Sequence, residues 1–103
     1  MTKPIATRTL YEIDNPEKTY LVEIFAPKLS ADGLYRCEVR IEHAPQGLNQ
    51  MFIGGSDSYQ ALILAIKSLH VMVDVFNKKF LGSRLRWENG SDDLGFAIST
   101  DSN

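Results

Sequence analysis

Hydrophobic and polar positions alternate along the first half of the chain. The alternation is strictest from Leu34 to Glu42, where Tyr35, Cys37, Val39 and Ile41 are interleaved with Arg36, Glu38, Arg40 and Glu42. A period of two is typical of an antiparallel strand with one face on a core and the other in water. Further strands are predicted at Ile5–Ile13, Thr19–Phe25 and Asn49–Ile53, separated by turns at Asn15–Glu17 and Asp32–Gly33 and by the loop His43–Leu48.

One long helix is predicted to follow, from Ser58 to Leu81. The glycines before it break the fourth strand, and Asp57 can cap the helix with Gln60, a variant of the capping box. Gly82 suits the position after the last turn, where a left-handed residue often ends a helix. A helix of roughly 22–24 residues is about 35 Å long, so it crosses a whole small domain.

Two short strands, Arg84–Trp87 and Leu94–Ile98, are predicted after the helix. The tail Ser99–Asn103 has nothing to bury and is expected to be frayed. Residues 1–103 therefore predict a single α+β domain of two layers. Its antiparallel sheet, in the order ββββαββ, carries the helix on one face.

The predicted helix has more than one apolar face. At 100° per residue a broad stripe suited to the sheet comprises Leu62, Ala65, Ile66, Leu69, Met72, Val73, Phe76 and Phe80. The wet face holds Lys67, His70, Asp74, Asn77 and Lys78. A separate strip, roughly opposite the stripe, consists of Leu64, Val71 and Val75. We call these three residues the helix strip.

Two interpretations of the helix strip stay open. Either the C-terminal hairpin or a loop folds over it, or it is a surface for self-association. The second strand has a similar surplus, because Leu21 and Phe25 face away from Tyr20, Val22 and Ile24. Two surplus apolar surfaces in so short a chain favour a dimer through the helix strip or through the outer sheet face.

Composition and charge bear on the binding partners and the cellular location of the protein. The 103 residues have a net charge of −2 and a pI of about 5.6, which argues against nucleic-acid binding. Charged residues in the middle of the helix argue against a membrane span. The single cysteine fits a reducing cytoplasm, and Met1–Leu10 has no apolar run that would predict a signal peptide. A cytoplasmic protein is expected.

No residue pattern predicts catalysis or cofactor binding. Cys37 falls among the inward residues of its strand and is expected to be a packed thiol, whereas a nucleophile needs exposure. His43 and His70 have no partner at metal-ligand spacing and are expected to be solvated. The glycines before the helix could suggest a phosphate site, but the Asp57 carboxylate would occupy the positive end of the helix.

The C-terminal residues also contain no pattern that predicts a binding or catalytic site. Glu88, Asp92 and Asp93 do not have the spacing of a calcium-binding loop and are expected to form a solvated turn. Trp87 is predicted to pack across from Phe96, with ligand stacking as the alternative. The exposed charges from Arg36 to Glu42 alternate in sign, as on an ordinary sheet surface. No catalytic, cofactor or metal site is predicted, and the chain is not expected to be an enzyme.

The sequence resembles a family of short uncharacterised bacterial proteins. The resemblance rests on the helix start Gly54-Gly55-Ser56-Asp57-Ser58-Tyr59-Gln60-Ala61-Leu62, on Ala26-Pro27, Arg36-Cys37 and Leu85-x-Trp87, and on the closing Asp93-Leu94-Gly95-Phe96. It implies a bacterial, cytoplasmic, single-domain protein. It implies no activity, because none is established for the family.

Two functions therefore compete. The first is a non-enzymatic interaction protein that forms a homodimer or binds another protein. The second is a small-ligand binding module or minor enzyme with a pocket between helix and sheet, near Trp87, Tyr11 or Tyr59. A flat apolar patch favours the first, and a deep pocket with converging ionisable groups favours the second.

Overall fold

The computed structural model describes residues 3–87 and Leu94. Its first element is a long hairpin formed by strands β1 (Pro4–Glu12) and β2 (Asn15–Phe25). The two strands pair antiparallel and meet at Glu12 and Asn15, so the turn is Ile13–Asp14. The predicted turn at Asn15–Glu17 is wrong by two residues. Pro16 lies in an irregular stretch of the ladder, where its missing N–H breaks no strand pairing.

One short strand that was not predicted lies between β2 and the predicted third strand. A two-residue strand, β3 (Lys28–Leu29), forms directly after Pro27 and pairs with the start of β4 (Tyr35–Ile41). The turn between them contains Gly33 with φ +88°, and Asp32 Oδ1 accepts a hydrogen bond from the Leu34 N–H at 3.0 Å. The left-handed backbone at this position explains the glycine.

Strand β5 (Gln50–Gly55) runs two residues further than predicted, because both glycines belong to it. Gly54 pairs with Arg36, and Gly55 pairs with Tyr35. A Cβ atom on Gly55 would lie 2.8 Å from the Cα of Ala61. Glycine at this position therefore allows the helix start to approach the strand closely, and it does not break the strand.

One continuous helical segment follows, as predicted. It consists of α1 (Ser58–Val75) and a π-helical turn at Phe76–Phe80. Gly82 follows with φ +58°, and Asn77 Oδ1 accepts a hydrogen bond from the Leu85 N–H at 2.9 Å. The prediction that Phe80 belongs to the core-facing stripe is wrong: its side chain is exposed at the last residue of the helical segment, one turn beyond the buried Phe76.

The last described strand is β6 (Leu85–Arg86). The described strands form one antiparallel sheet in the order β5-β4-β2-β1-β6. The short strand β3 pairs with β4 along the same edge as β2. Helix α1 lies over β4 and β5 at one end of this sheet. The core lies between the two layers and consists mainly of Leu10, Tyr20, Val22, Cys37, Val39, Ile41, Ala61, Ala65, Leu69, Met72, Val73, Phe76 and Leu85. The predicted α+β class with one long helix on an antiparallel sheet is confirmed.

Some predictions about the C-terminus fall outside the described residues. The strand Arg84–Trp87 is present as β6, which pairs with β1 at Tyr11 and Glu12. The predicted strand Leu94–Ile98, apart from Leu94, lies outside the described part of the chain. The tail Ser99–Asn103, which is predicted to be frayed, and the acidic turn predicted at Glu88, Asp92 and Asp93 lie outside it as well.

Candidate interaction surface

Part of the helix strip is open to solvent. The exposed fraction is 55% for Val71 and 38% for Leu64, while Val75 is half-buried. All three side chains lie away from the core-facing residues Ala61, Ala65, Leu69 and Met72, on the flank of α1 that adjoins β5. The described residues leave this aliphatic surface uncovered, at a cost of about 25 cal/mol for each Å² left in water.

The helix strip lies beside the free end of the sheet. Val71 lines a shallow groove of about 280 Å³ together with Met51 of β5 and with Lys67, Ser68 and Met72 of α1. Because β5 is the terminal strand of the described sheet, the groove runs along the outer flank of the molecule. Strip, groove and sheet edge therefore form one continuous surface, which we call the β5 flank.

The stretch Ser58–Phe80 is long and apolar enough to cross a membrane by length and composition, with a mean hydropathy of 1.4. The same composition occurs in core helices of soluble proteins, and this helix packs on a sheet. Only 33% of its most apolar window is buried. The helix thus has more apolar surface than its own sheet covers.

The outer sheet face offers less apolar surface than the sequence predicts. Phe25 is buried, and the Arg40 guanidinium lies over its ring at 4.8 Å from the ring centre. Arg40 also donates to Glu38 at 2.6 Å, so the cation is held in place over the ring. Phe25 presents no free ring to a partner, and Leu21 is half-buried.

Strand β5 contributes an exposed aromatic residue to the β5 flank that sequence reasoning missed. Phe52 is 58% exposed on the outer sheet face, opposite Glu38 of β4. The strand Gln50–Gly55 contains no charged residue and no proline. Its composition could have suggested a sheet edge open to pairing, because exposed edges usually carry charges or proline.

The helix start is closed by its own side chains. Asp57 is the N-cap residue, and its Oδ1 accepts a hydrogen bond from the Gln60 N–H at 2.7 Å. Gln60 Oε1 accepts from the Ser56 N–H at 2.7 Å. The N–H of Gln60 in the first turn and the N–H of Ser56 just before the N-cap are therefore already bonded, and the carboxylate of Asp57 opposes a bound anion.

Cys37 and the two histidines lie on three different elements of the fold. The Cys37 thiol is fully buried, donates to the Phe25 carbonyl at 3.2 Å and has a pKa raised by burial, which disfavours the reactive thiolate. His43 is exposed in the loop after β4, with Nδ1 3.4 Å from the Thr19 carbonyl oxygen. His70, which is predicted to be solvated, is half-buried on α1, one turn after the half-buried Ile66. In residues 3–87 and Leu94, no three potential metal ligands converge.

Glu12 and Tyr20 form a buried polar pair at the other end of the sheet. The Tyr20 hydroxyl donates to Glu12 Oε2 at 2.5 Å, and Lys18 Nζ lies 3.9 Å from the same oxygen. Burial and the neighbouring carboxylate raise the pKa of Tyr20 to about 12. The hydroxyl therefore stays protonated and satisfies the carboxylate, as buried polar groups require.

Trp87 also lies far from the β5 flank. The Arg8 guanidinium is 3.8 Å from the centre of the Trp87 ring, and Arg8 donates to the Leu94 carbonyl at 2.8 Å. Both contacts involve β1, whereas the groove beside Met51 lies at the β5 end of the sheet. The predicted Phe96 partner of Trp87 lies outside the described residues.

A family model described as a domain of unknown function, DUF6968, matches residues 6–98 of the chain. The chain belongs to the DUF6968 family. No curated protein and no solved structure matches it. The resemblance to an uncharacterised family is thereby confirmed, and the DUF6968 match transfers no activity or ligand to this chain.

The surface of this DUF6968 domain can therefore be interpreted only from its own residues. The β5 flank combines exposed aliphatic side chains, an exposed aromatic ring and a sheet edge without charges. Among the described residues that line its groove, Lys67 is the charged one. Such a surface is suited to burying apolar area against another macromolecule, whereas enzyme pockets bring several ionisable groups together.

Proposed function

We propose that the protein is a small cytoplasmic, non-enzymatic interaction module that self-associates through the β5 flank. The observation that supports this most directly is the exposure of Val71 and Leu64 beside a groove at the end of the sheet. A symmetric dimer buries the same patch on both subunits, so it needs no partner of different composition.

The charge distribution favours a protein partner over nucleic acid or an anionic membrane. The net charge is −2, and the β5 flank has both signs, with Lys67 next to Val71 and Asp74 bonded to Lys78 at 3.3 Å. A nucleic-acid or anionic-lipid surface would need clustered positive charge. Mixed charge around an apolar centre resembles the rim and core of protein interfaces.

Sedimentation velocity at micromolar concentration tests the proposal. The native protein is expected to sediment as a dimer, and Val71→Lys is expected to be monomeric because it places a charge at the centre of the apolar patch. Tyr59→Lys is the matched control, because Tyr59 is 74% exposed on the first turn of the same helix, away from the strip. This control should remain a dimer.

A native monomer would refute self-association. A dimer that persists in Val71→Lys would place the contact elsewhere and refute the assignment to the β5 flank. Circular dichroism of both lysine variants tests whether the helix is retained. If it is, a fall in the sedimenting mass from dimer to monomer can be attributed to the interface.

A further inference from the structure

The free edge of β5 is available for backbone pairing. In the described residues β5 pairs with β4 alone, so its second edge has no strand beside it. Proteins commonly protect such edges with lysine, proline or a bulge. The six residues Gln50–Gly55 contain none of these and form a regular ladder with β4. This edge can accept another strand.

The hydrogen-bond pattern identifies which groups point outward. The Ile41 N–H donates to the Asn49 carbonyl at 3.0 Å, so these two residues form a hydrogen-bonded pair. In an antiparallel ladder such pairs alternate with non-bonded pairs. The backbone groups of Met51 and Ile53 therefore point towards β4. Those of Gln50, Phe52 and Gly54 point towards the free edge.

We infer that two copies of the chain join by antiparallel pairing of β5 with β5, which makes one continuous sheet across the dimer. The inference rests on the proposed self-association and specifies its geometry. With Phe52 opposite Phe52 of the second copy, Gln50 lies opposite Gly54, and every outward backbone group is paired. This register forms about six backbone hydrogen bonds and brings the two exposed Phe52 rings together as a cross-strand pair.

The same two-fold axis brings the helices together at a normal distance. Adjacent strands in a sheet are about 4.8 Å apart. A helix axis midway between β4 and β5 is therefore displaced from β5 by about 2.4 Å towards β4. The two-fold axis lies midway between the two β5 strands, about 2.4 Å from β5 on its other side. The two helices are then roughly 9.6 Å apart, within the usual range of roughly 8–10 Å. Met51 and Val71 line one groove, so both lie close to this axis.

The helix strip contacts lysine side chains of the second copy in this arrangement. An axis perpendicular to the sheet makes the helices antiparallel, and with Val71 at the axis each residue faces the one equally far on its other side. Lys67 then lies beside the partner's Val75, and Lys78 lies beside the partner's Leu64. The aliphatic stems of these lysines therefore cover Val75 and Leu64 of the helix strip, and the two-fold axis repeats both contacts. A second copy is therefore the occupant that the β5 flank fits.

Amide hydrogen exchange followed by NMR tests this geometry without any substitution in the strand. At a concentration where the protein is dimeric, the amides of Gln50, Phe52 and Gly54 are expected to exchange at least about tenfold more slowly than in monomeric Val71→Lys. The amides of Met51 and Ile53 are internal controls, because they bond to β4 in both states. They should be protected in both samples.

Proline at the centre of the edge gives a second test. Phe52→Pro removes an outward N–H and leaves the β4 ladder intact, whereas Phe52→Ala removes only the ring. We expect the dissociation constant of the proline variant to exceed that of the alanine variant by about tenfold or more, because the central hydrogen bonds are lost. Equal constants with unchanged circular dichroism would overturn the pairing.

The outcomes separate this inference from the proposed function. A dimer in which the amides of Gln50, Phe52 and Gly54 exchange freely refutes edge pairing and leaves self-association standing. A native monomer refutes both. If Phe52→Pro does not fold, the exchange experiment on the native chain decides.

Discussion

The adjacent glycines at the end of β5 provide a sharp test of the fold. A Cβ on Gly55 would lie 2.8 Å from Ala61 Cα and 3.0 Å from the Gln60 carbonyl carbon, both of them backbone atoms in the first turn of α1. Relieving this overlap requires the helix start to move. Overpacking of this kind costs about 1–3 kcal/mol, whereas replacing a strand glycine by alanine gains only about 0.5–1 kcal/mol. The clash exceeds the gain, so Gly55→Ala should be destabilising by about 1–2 kcal/mol.

Gly54→Ala is the matched control for this substitution. A Cβ there would lie 2.6 Å from Arg36 Nη1, the end of a flexible and partly exposed side chain that can move. Displacing Arg36 weakens its ion pair with Asp32, and such a surface pair contributes about 0–1 kcal/mol. Gain and loss nearly cancel, so the free energy of unfolding should change by less than about 0.5 kcal/mol.

Urea denaturation of the three proteins at one concentration measures the difference. Equal concentration matters because a dimer's apparent stability depends on it. If Gly55→Ala matched the native protein, or if both alanine variants lost the same stability, the close approach of helix and strand at Gly55 would be wrong.

Three further predictions follow from individual contacts. Asp57→Ala should lower the free energy of unfolding by about 0.5–2 kcal/mol in urea denaturation, because the Gln60 N–H loses its acceptor; no change would place the cap elsewhere. Cys37 should react with a thiol reagent much more slowly in the native protein than in urea, since the thiol is buried; rapid native labelling would contradict this. The pKa of Tyr20 is raised from 10.0 to about 12 by burial and by Glu12, so the unfolded chain loses this proton first and stability should fall as the pH rises from 10 towards 12. Tyr20→Phe should remove this part of the pH dependence in denaturation curves.

The strands and the helix could be predicted because each has its own local signal. The alternation from Tyr35 to Ile41 identifies β4, and Asp57 with Gln60 identifies the helix start. The errors occur where tertiary contacts outweigh local preference. Gly55 stays in the strand because the helix packs against it, and Phe80 is exposed because it is the last residue of the helical segment, beyond the buried Phe76.

The sheet order could not be predicted from the sequence, and the candidate surface depends on it. Periodicity shows that the helix strip faces away from the core, but it does not show which strand lies beside the strip. Only pairing across the chain places β5 at the end of the sheet, with Met51 in the same groove as Val71. Such pairings join residues far apart in sequence and leave no local pattern.

The position of the helix strip determines what kind of partner the β5 flank can take. A strip on top of α1, opposite the sheet, could contact only another helix or a loop, and the sheet would take no part. The observed strip lies on the flank of α1 above a sheet edge that is free in the described residues, so one approach reaches both layers. A second copy supplies an uncharged strand at the level of the sheet and an aliphatic helix at the level of α1. A partner that offers only one of these two elements would leave the other exposed, and the remaining apolar surface would still favour self-association.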